Sequence, residues 1–166
     1  MGKFCEVCEK GLMNGVGDGV FAPDGTVTRG QIVTILYRAA GEPSVEGLEN
    51  PFTDVPADEW YTDAVIWAAA NEIVNGISKT QFAPAKAVTR EQLVTILYRY
   101  DGSAKADAKA LAGFKDASSV AAYAKDAFAW AVSNEIVNGM TATTLAPAAT
   151  ATRAQICAIM MRYLSK

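Results

Sequence analysis

The sequence of 166 residues contains no histidine and only three cysteines. Histidine is the side chain most often used for proton transfer near neutral pH and is the commonest metal ligand, so its absence disfavours both chemistries. Cys5 and Cys8 form one C-x-x-C pair, but no second pair exists to complete a four-ligand zinc site. We therefore expect no metal, no cofactor and no enzymatic activity, with a redox role for the pair as the alternative.

Long hydrophobic runs are also missing. The longest, residues 64–70, is far shorter than the roughly 20 apolar residues that a membrane-spanning helix needs. The formal net charge of −3 gives no general attraction to nucleic acid. The first residues lack the charged, apolar and cleavage regions of a signal peptide, so we expect a protein acting outside the cell to carry its export signal elsewhere.

One block of sequence occurs three times. Residues 14–38, 75–99 and 138–162 align without a gap, after shifts of 61 and 63 residues. Such self-similarity indicates a repeat architecture, in which each unit needs its neighbours to bury its apolar face. The repeats are assigned as follows, together forming one compact domain: residues 1–40 are the first, residues 51–101 the second and residues 113–166 the third.

Each complete repeat is predicted to form a helix, a loop and a second helix. Apolar periodicity predicts helices over residues 59–74 and 90–100 in the second repeat, and over residues 126–137 and 153–164 in the third. The first helix of each pair is expected to end at an Asn-Gly pair, because glycine adopts the left-handed conformation that closes a helix. A short extra helix is expected within residues 104–112.

The first repeat is incomplete, because it has no counterpart of Phe52, Asp54 or Trp60. A missing half-unit leaves apolar surface uncovered. We expect either further residues or a second copy of the chain to cover that surface, and the second arrangement would be a homodimer.

A Thr-x-x-Gln pattern precedes the second helix of every repeat. Threonine at the N-cap accepts a hydrogen bond from the third helical amide, and glutamine accepts one from the N-cap amide, so the pattern predicts a capping box. The pairs are Thr28 with Gln31, Thr89 with Gln92, and Thr152 with Gln155.

An arginine follows the threonine each time, at Arg29, Arg90 and Arg153. A cation in the first turn faces the positive end of the helix dipole, which is unfavourable. Free helix amides together with a guanidinium form an anion site suited to carboxylate or phosphate. The alternative is an inter-repeat salt bridge to a structural carboxylate such as Asp54 or Asp116. A second set of arginines ends the same helices, where a cation is favoured and needs no functional explanation: Arg38, Arg99 and Arg162.

Two aromatic residues precede first helices. Trp60 does so in the second repeat, and Tyr123 is its nearest equivalent in the third, displaced by one residue. An aromatic side chain beside an anion site would stack against a sugar ring, and packing at the rim of a helix pair is the alternative. Trp67 and Trp130 lie within helices and are expected in the core. Buried thiols are expected as well, since hydrophobic residues align opposite all three cysteines: Cys5, Cys8 and Cys157.

The motifs F-x-D-V, W-Y-x-D-A-V, N-G, F-x-P and T-R-x-Q, recurring with a spacing near 60 residues, together resemble the S-layer homology domain. The resemblance covers nearly the whole chain. It implies a mostly α-helical fold, in which three helix-loop-helix repeats have a pseudo-threefold arrangement around a central three-helix bundle. It also implies inter-repeat grooves that bind acidic, typically pyruvylated, secondary cell-wall polysaccharide linked to peptidoglycan. Such a module would anchor a bacterial protein non-covalently at the extracellular cell surface.

The family's T-R-A-E motif matches residues 28–31, 89–92 and 152–155, with glutamine in place of its glutamate each time. The resemblance implies that the three arginines contact the ketal carboxylate of the ligand. It also implies ligand-binding roles at seven further positions: Asp54, Trp60, Asp116, Tyr123, Gly15, Gly76 and Gly139. Because the first repeat lacks the aspartate and the tryptophan, we expect one or two working grooves rather than three.

The sequence is thus compatible, to different degrees, with three functions. The leading prediction is a non-catalytic carbohydrate-binding anchor, whose affinity depends on salt and on the guanidinium groups. The alternative is a structural self-association module that has lost glycan binding. Glycan hydrolysis by paired carboxylates is the least favoured, because Asp58 and Glu59 have no acidic match in the third repeat.

Overall fold

The computed structural model describes residues 10–13 and 22–166, and this part of the chain is mostly helical, with five α-helices and no β-strand. The predicted fold class is confirmed. None of the described helices is long and apolar enough to cross a membrane. The α-helices are α1 (Arg29–Ala39), α2 (Thr62–Ala70), α3 (Arg90–Tyr100), α4 (Lys125–Ser133) and α5 (Arg153–Leu164). Short 3₁₀ turns occupy Ala108–Leu111, Ala117–Ser119 and Ala122–Ala124.

The second helices of the repeats begin where their sequence pattern indicates. α3 and α5 have the predicted bounds. The capping box is present at the start of α1, α3 and α5, with both hydrogen bonds formed in each. In α1, for example, the Gln31 amide donates to Thr28 Oγ1 over 3.2 Å and the Thr28 amide donates to Gln31 Oε1 over 2.8 Å. Local capping thus fixes these helix starts.

The first helices are shorter than predicted, and the Asn-Gly pair does not end them. α2 ends at Ala70 and is capped by Asn71, whose Nδ2 donates to the Trp67 carbonyl over 2.8 Å. Glu72 then takes the left-handed conformation, with φ of 57°. The same Asn-Glu pair ends α4, at Asn134 and Glu135. Apolar periodicity continues beyond the helix end because the residues that follow, such as Ile73, are also buried.

The extra helix expected within residues 104–112 is only the 3₁₀ turn Ala108–Leu111. Its Leu111 is buried in the hydrophobic core, and the turn packs against α4.

Backbone contacts between the repeats follow a cyclic order. The Val88 amide donates to the Val27 carbonyl over 2.8 Å, and the Ala151 amide donates to the Val88 carbonyl over 3.1 Å. The Val27 amide closes the ring by donating to the Ala151 carbonyl over 3.4 Å. This ring fits the pseudo-threefold arrangement that the family resemblance implies.

The described α-helices pack in pairs between neighbouring repeats. α1 of the first repeat packs against α2 of the second, and α3 of the second packs against α4 of the third. Trp67 and Trp130 are buried, as predicted, and each contacts tyrosines of two helices. Tyr37 and Tyr100 contact the first, and Tyr98 and Tyr163 contact the second.

Of the cysteines, Cys157 is buried as expected, and its thiol donates to Met13 Sδ over 3.8 Å. Cys5 and Cys8 lie outside the described residues.

Candidate ligand-binding groove

The first-turn arginines reach across to the loop of the next repeat. Arg29 is only 5% exposed; its Nε donates to the Phe82 carbonyl and its Nη2 to the Asn75 carbonyl, each over 2.9 Å. The guanidinium also lies 4.7 Å from the centre of the Phe82 ring. Arg90 repeats this contact one unit further along, with Nε donating to the Leu145 carbonyl over 2.8 Å. Both arginines therefore join neighbouring repeats.

Arg153 is equally buried, at 5% exposure. Its backbone amide donates to the Gly25 carbonyl over 2.8 Å, which ties the third repeat to the first.

The first-turn amides are not free, so that part of the predicted anion site is wrong. The Arg29 amide donates to the Lys86 carbonyl and the Gly30 amide to the Pro84 carbonyl, each over 2.9 Å. The next amide is bound within the capping box. The neighbouring loop thus places carbonyl oxygens at the positive end of the helix. Their partial negative charge offsets the unfavourable position of the arginine.

Asp54 holds the same loop from its other side. Its Oδ1 accepts from the Phe82 amide over 2.8 Å and its Oδ2 from the Ala83 amide over 2.7 Å. Ala83 has a left-handed φ of 57°, so the carboxylate supports a conformation that alanine disfavours. Partial burial raises the pKa of Asp54. The hydrogen bonds from these amides, together with the charge of Arg29, outweigh it and hold the pKa below its ordinary value.

Asp116 repeats this arrangement in the third repeat. Its two oxygens accept from the Leu145 and Ala146 amides over 2.8 Å each. Burial raises the pKa of Asp116, but these hydrogen bonds and the charge of Arg90 outweigh it. The pKa therefore lies below its ordinary value. Within the described part of the chain, neither Arg29 with Asp54 nor Arg90 with Asp116 forms the direct salt bridge considered from the sequence; each pair meets through a shared loop.

A groove of about 370 Å³ lies where the three repeats meet. The first repeat contributes Arg29, and the third contributes Tyr123. The second contributes a loop and one face of α3. The lining residues are Arg29, Val74, Asn75, Gly76, Ile77, Gln92, Thr95, Ile96, Arg99 and Tyr123. Two of them are cations and none is a carboxylate, so the groove is electrostatically suited to an anion.

Tyr123 stands at the edge of this groove, with 53% of its surface exposed. It lies in the 3₁₀ turn Ala122–Ala124, and the preceding Ala121 amide donates to Glu91 Oε2 over 3.1 Å. Partial burial and the Glu91 carboxylate raise the pKa of Tyr123, whereas the guanidiniums of Arg29 and Arg99 lower it. Burial and the carboxylate outweigh the two cations, so the pKa of Tyr123 is raised above its ordinary value.

Trp60 lies apart from the groove. It is 59% exposed, and its ring meets that of Tyr61 edge-on at 5.0 Å between centroids. Tyr61 in turn lies beside Gly30, where a Cβ atom would be 3.5 Å from Tyr61 Cγ. Trp60 thus contacts the tyrosine that lies against the first turn of α1.

The repeated glycines allow tight loops. A Cβ on Gly76 would overlap the carbonyl oxygens of Ser78 and Gln81, so this groove position cannot carry a side chain without a shift of backbone. Gly139 has φ of 90°, and its Cβ would lie 2.7 Å from the Thr144 carbonyl oxygen. Gly15 lies outside the described residues.

The groove brings together only some of the residues singled out from the sequence: Arg29, Gly76, Tyr123 and the capping Gln92. Asp54 does not line the groove, but its carboxylate accepts a hydrogen bond from the Phe82 amide in the loop that Arg29 also contacts. The others lie elsewhere in the described structure: Trp60, Arg90, Asp116, Gly139 and Arg153.

The sequence did not single out Arg99 as a groove residue, because its place at a helix end accounts for a cation there; the structure shows that it lines the groove. Gln92, Thr95 and Arg99 are spaced i, i+3 and i+7, which places them on one face of α3. This i, i+3, i+7 spacing of polar side chains was the signal in the sequence, although Thr95 itself is buried.

A model of the S-layer homology domain family matches residues 7–33, 51–94 and 113–157, one segment in each predicted repeat. The chain is 36% identical over 160 residues to the surface-layer 125 kDa protein of Lysinibacillus sphaericus, with 94% of this chain and 13% of that protein covered. It is 30% identical over 158 residues to exoglucanase XynX of Acetivibrio thermocellus, covering 93% of this chain and 14% of the enzyme.

A third relative is the middle cell wall protein of Brevibacillus brevis. It is 34% identical over 101 residues, which cover 57% of this chain and 10% of that protein. The chain therefore spans only a small fraction of the length of each of these relatives.

Proposed function

Because this chain belongs to the S-layer homology domain family, we propose that it is a non-catalytic anchoring module which binds acidic secondary cell-wall polysaccharide at the bacterial cell surface. The observation that carries the proposal is the groove in which Arg29 and Arg99 are the charged lining residues. Two guanidiniums in one concave, partly apolar site suit a carboxylate attached to a sugar, such as a pyruvate ketal.

Each part of the groove has a role in this proposal. Arg29 uses two N–H groups to bind carbonyls, and a guanidinium has five, so it retains donors for a carboxylate. Arg99 is the second cation. Tyr123 and Ile77, both about half exposed, offer apolar surface to a sugar ring, while Gln92 and Asn75 offer amides to its hydroxyls.

The relatives support a surface location. One is named as a surface-layer protein and another as a cell wall protein. The similarity to an exoglucanase covers 14% of that enzyme. Hydrolysis of a glycosidic bond normally uses two carboxylates, and the groove lining contains none. We therefore propose binding without catalysis.

The proposal is tested by calorimetric binding of the chain to pyruvylated cell-wall polysaccharide. Arg99→Gln and Tyr123→Ala should each weaken binding about tenfold or more, corresponding to about 1.4 kcal/mol. Lys109→Gln removes an exposed positive charge outside the groove and should change affinity little. Raising the salt concentration should weaken binding by the native chain, because the contact is ionic.

Chemical removal of the pyruvate ketals provides the ligand control. Equal affinity before and after removal would contradict recognition of the acidic group. If the chain ignores the polysaccharide but dimerises with increasing concentration in sedimentation, the self-association alternative replaces the anchor.

A further inference from the structure

The ligand groove does not end at Arg99. A second pocket of about 470 Å³ adjoins it, formed where α2 and α3 both end. Asn75 and Arg99 line both spaces, so the two adjoin at these residues, and together they are called the cleft. The second pocket is lined by Asn71, Glu72, Asn75, Arg99, Gly102 and Ser103. We infer that this pocket binds a neighbouring, uncharged sugar unit of the polysaccharide, an inference that rests on the proposed function.

The two ends of the cleft differ in chemistry. The groove combines cations with apolar side chains, namely Val74, Ile77 and Ile96. The second pocket has no large apolar side chain in its lining and instead presents amides, a hydroxyl, the carboxylate of Glu72 and the guanidinium of Arg99 that it shares with the groove. Such groups donate to and accept from sugar hydroxyls. Glu72 offsets the charge of Arg99 in this lining, so the second pocket lacks the net positive charge of the groove and suits an uncharged sugar better than a second acidic unit.

The second pocket is formed by backbone that helix ends hold in place. Asn71 caps α2 through its bond to the Trp67 carbonyl, and Glu72 follows with φ of 57°. On the opposite side, the Ser103 amide donates to the Tyr98 carbonyl over 2.8 Å, and Tyr98 Oη donates to the Ser103 carbonyl over 3.3 Å. Binding groups on ordered backbone lose little conformational entropy when a ligand arrives.

The length of the cleft exceeds that of one sugar. Gln92 and Arg99 are seven residues apart on α3, or roughly 10 Å at the helical rise of 1.5 Å per residue. Gly102 and Ser103 extend the cleft beyond the helix end. Arg99 lies at the junction, where it reaches both the acidic unit in the groove and the next unit along the chain.

The test uses calorimetry on the full chain with three probes. One is a pyruvylated monosaccharide unit of the cell-wall polysaccharide, and the others extend this sugar by one neutral unit of the same polysaccharide at either end. One of the two disaccharides should bind about fivefold or more tighter than the monosaccharide. The double variant Glu72→Ala, Ser103→Ala should lose this gain and bind the monosaccharide as the native chain does.

Glu135→Ala is the matched control. Glu135 follows the Asn cap of α4 with the same φ of 57°, so its replacement has the same local effect on backbone outside the proposed pocket. It should leave the gain intact. A disaccharide of two pyruvylated units should show less gain than the neutral extension, and Glu72→Gln should reduce that difference.

The outcomes separate the two proposals. If the monosaccharide binds but neither disaccharide binds tighter, or if the gain survives the double variant, the second pocket is overturned and the groove stands. If no probe binds a chain of native helicity, the proposed function fails, and the second pocket with it.

Discussion

At the scale of single residues, the first-turn arginine serves the fold as well as the proposed ligand. An arginine that is 5% exposed needs hydrogen bonds to offset its desolvation, and Arg29 obtains them from the Phe82 and Asn75 carbonyls. Removing the side chain would leave those carbonyls unsatisfied as well as removing a binding cation. Arg99, which is half-buried, and Tyr123 are therefore cleaner probes of binding than Arg29.

Arg29→Lys separates charge from hydrogen-bond geometry. Lysine keeps the charge but cannot reproduce the two bonds from Nε and Nη2, so the free energy of unfolding should fall by about 1–3 kcal/mol. Urea denaturation provides the measurement. Arg99→Lys, for which we expect a change within about 0.5 kcal/mol, is the control. Equal stability of the two variants would contradict a structural role for Arg29.

Asp54 and Asp116 should make the fold sensitive to acid. Their pKa values are lowered in the folded chain, so their stabilising effect is present above the unfolded-state value of about 4 and is lost as pH falls through the folded-state values. The free energy of unfolding should therefore decrease below about pH 4.

The double variant Asp54→Asn, Asp116→Asn tests this assignment. It should be less stable at neutral pH, by about 1.5–3 kcal/mol per site for a lost charge-assisted bond, and should lose less stability on acidification. Asp24→Asn, in an exposed turn, is the control. Parallel pH profiles for the native chain and the double variant would rule out these two carboxylates as the source.

At the scale of elements, different local interactions determine where the helices start and where they end. The capping boxes place the starts of α1, α3 and α5 through contacts within four residues. The ends of α2 and α4 depend on an asparagine cap and a left-handed glutamate. The loop after α2 closes so tightly around Gly76 that it forms one wall of the groove.

Gly76→Ala should distort that wall. The added Cβ overlaps two backbone carbonyls, so backbone must move, at a cost of about 1–3 kcal/mol in stability. Affinity for acidic polysaccharide should fall in parallel. Gly113→Ala, where a Cβ meets nothing within 4 Å, is the matched control for unfolding and binding. Native affinity in Gly76→Ala would show that this loop does not shape the site.

At the scale of the whole molecule, the repeats are interlocked. The second repeat obtains the backbone partner of Val88 from the first, and it binds the loop of the third through Arg90. Its two helices pack against helices of different neighbours. The groove likewise needs all three repeats, because Arg29 and Tyr123 come from the first and third repeats and the other lining residues come from the second.

Residues 51–101 alone should therefore not fold. Without α1 and α4, both helices of this segment expose apolar faces, and short isolated helices are marginal in water. Circular dichroism should give far less helical signal per residue than the full chain, without a cooperative thermal transition. A cooperative transition in the isolated segment would show that the second repeat is an autonomous unit.

The sequence by itself determined what local and periodic forces control. Repetition and family motifs identified three units, apolar periodicity identified the helical class, and Thr-x-x-Gln located the starts of α3 and α5. These features depend on residues a few positions apart, so they can be read along the chain.

Only the tertiary structure decided which distant groups meet. It assigned the Arg29 guanidinium to carbonyls of the next repeat, Asp54 to the amides of Phe82 and Ala83, and Tyr123 to a groove built on α3. It also ended α2 at Ala70, although the apolar pattern continues. The physical reason is that these partners lie tens of residues apart, and packing between repeats rather than local preference brings them together.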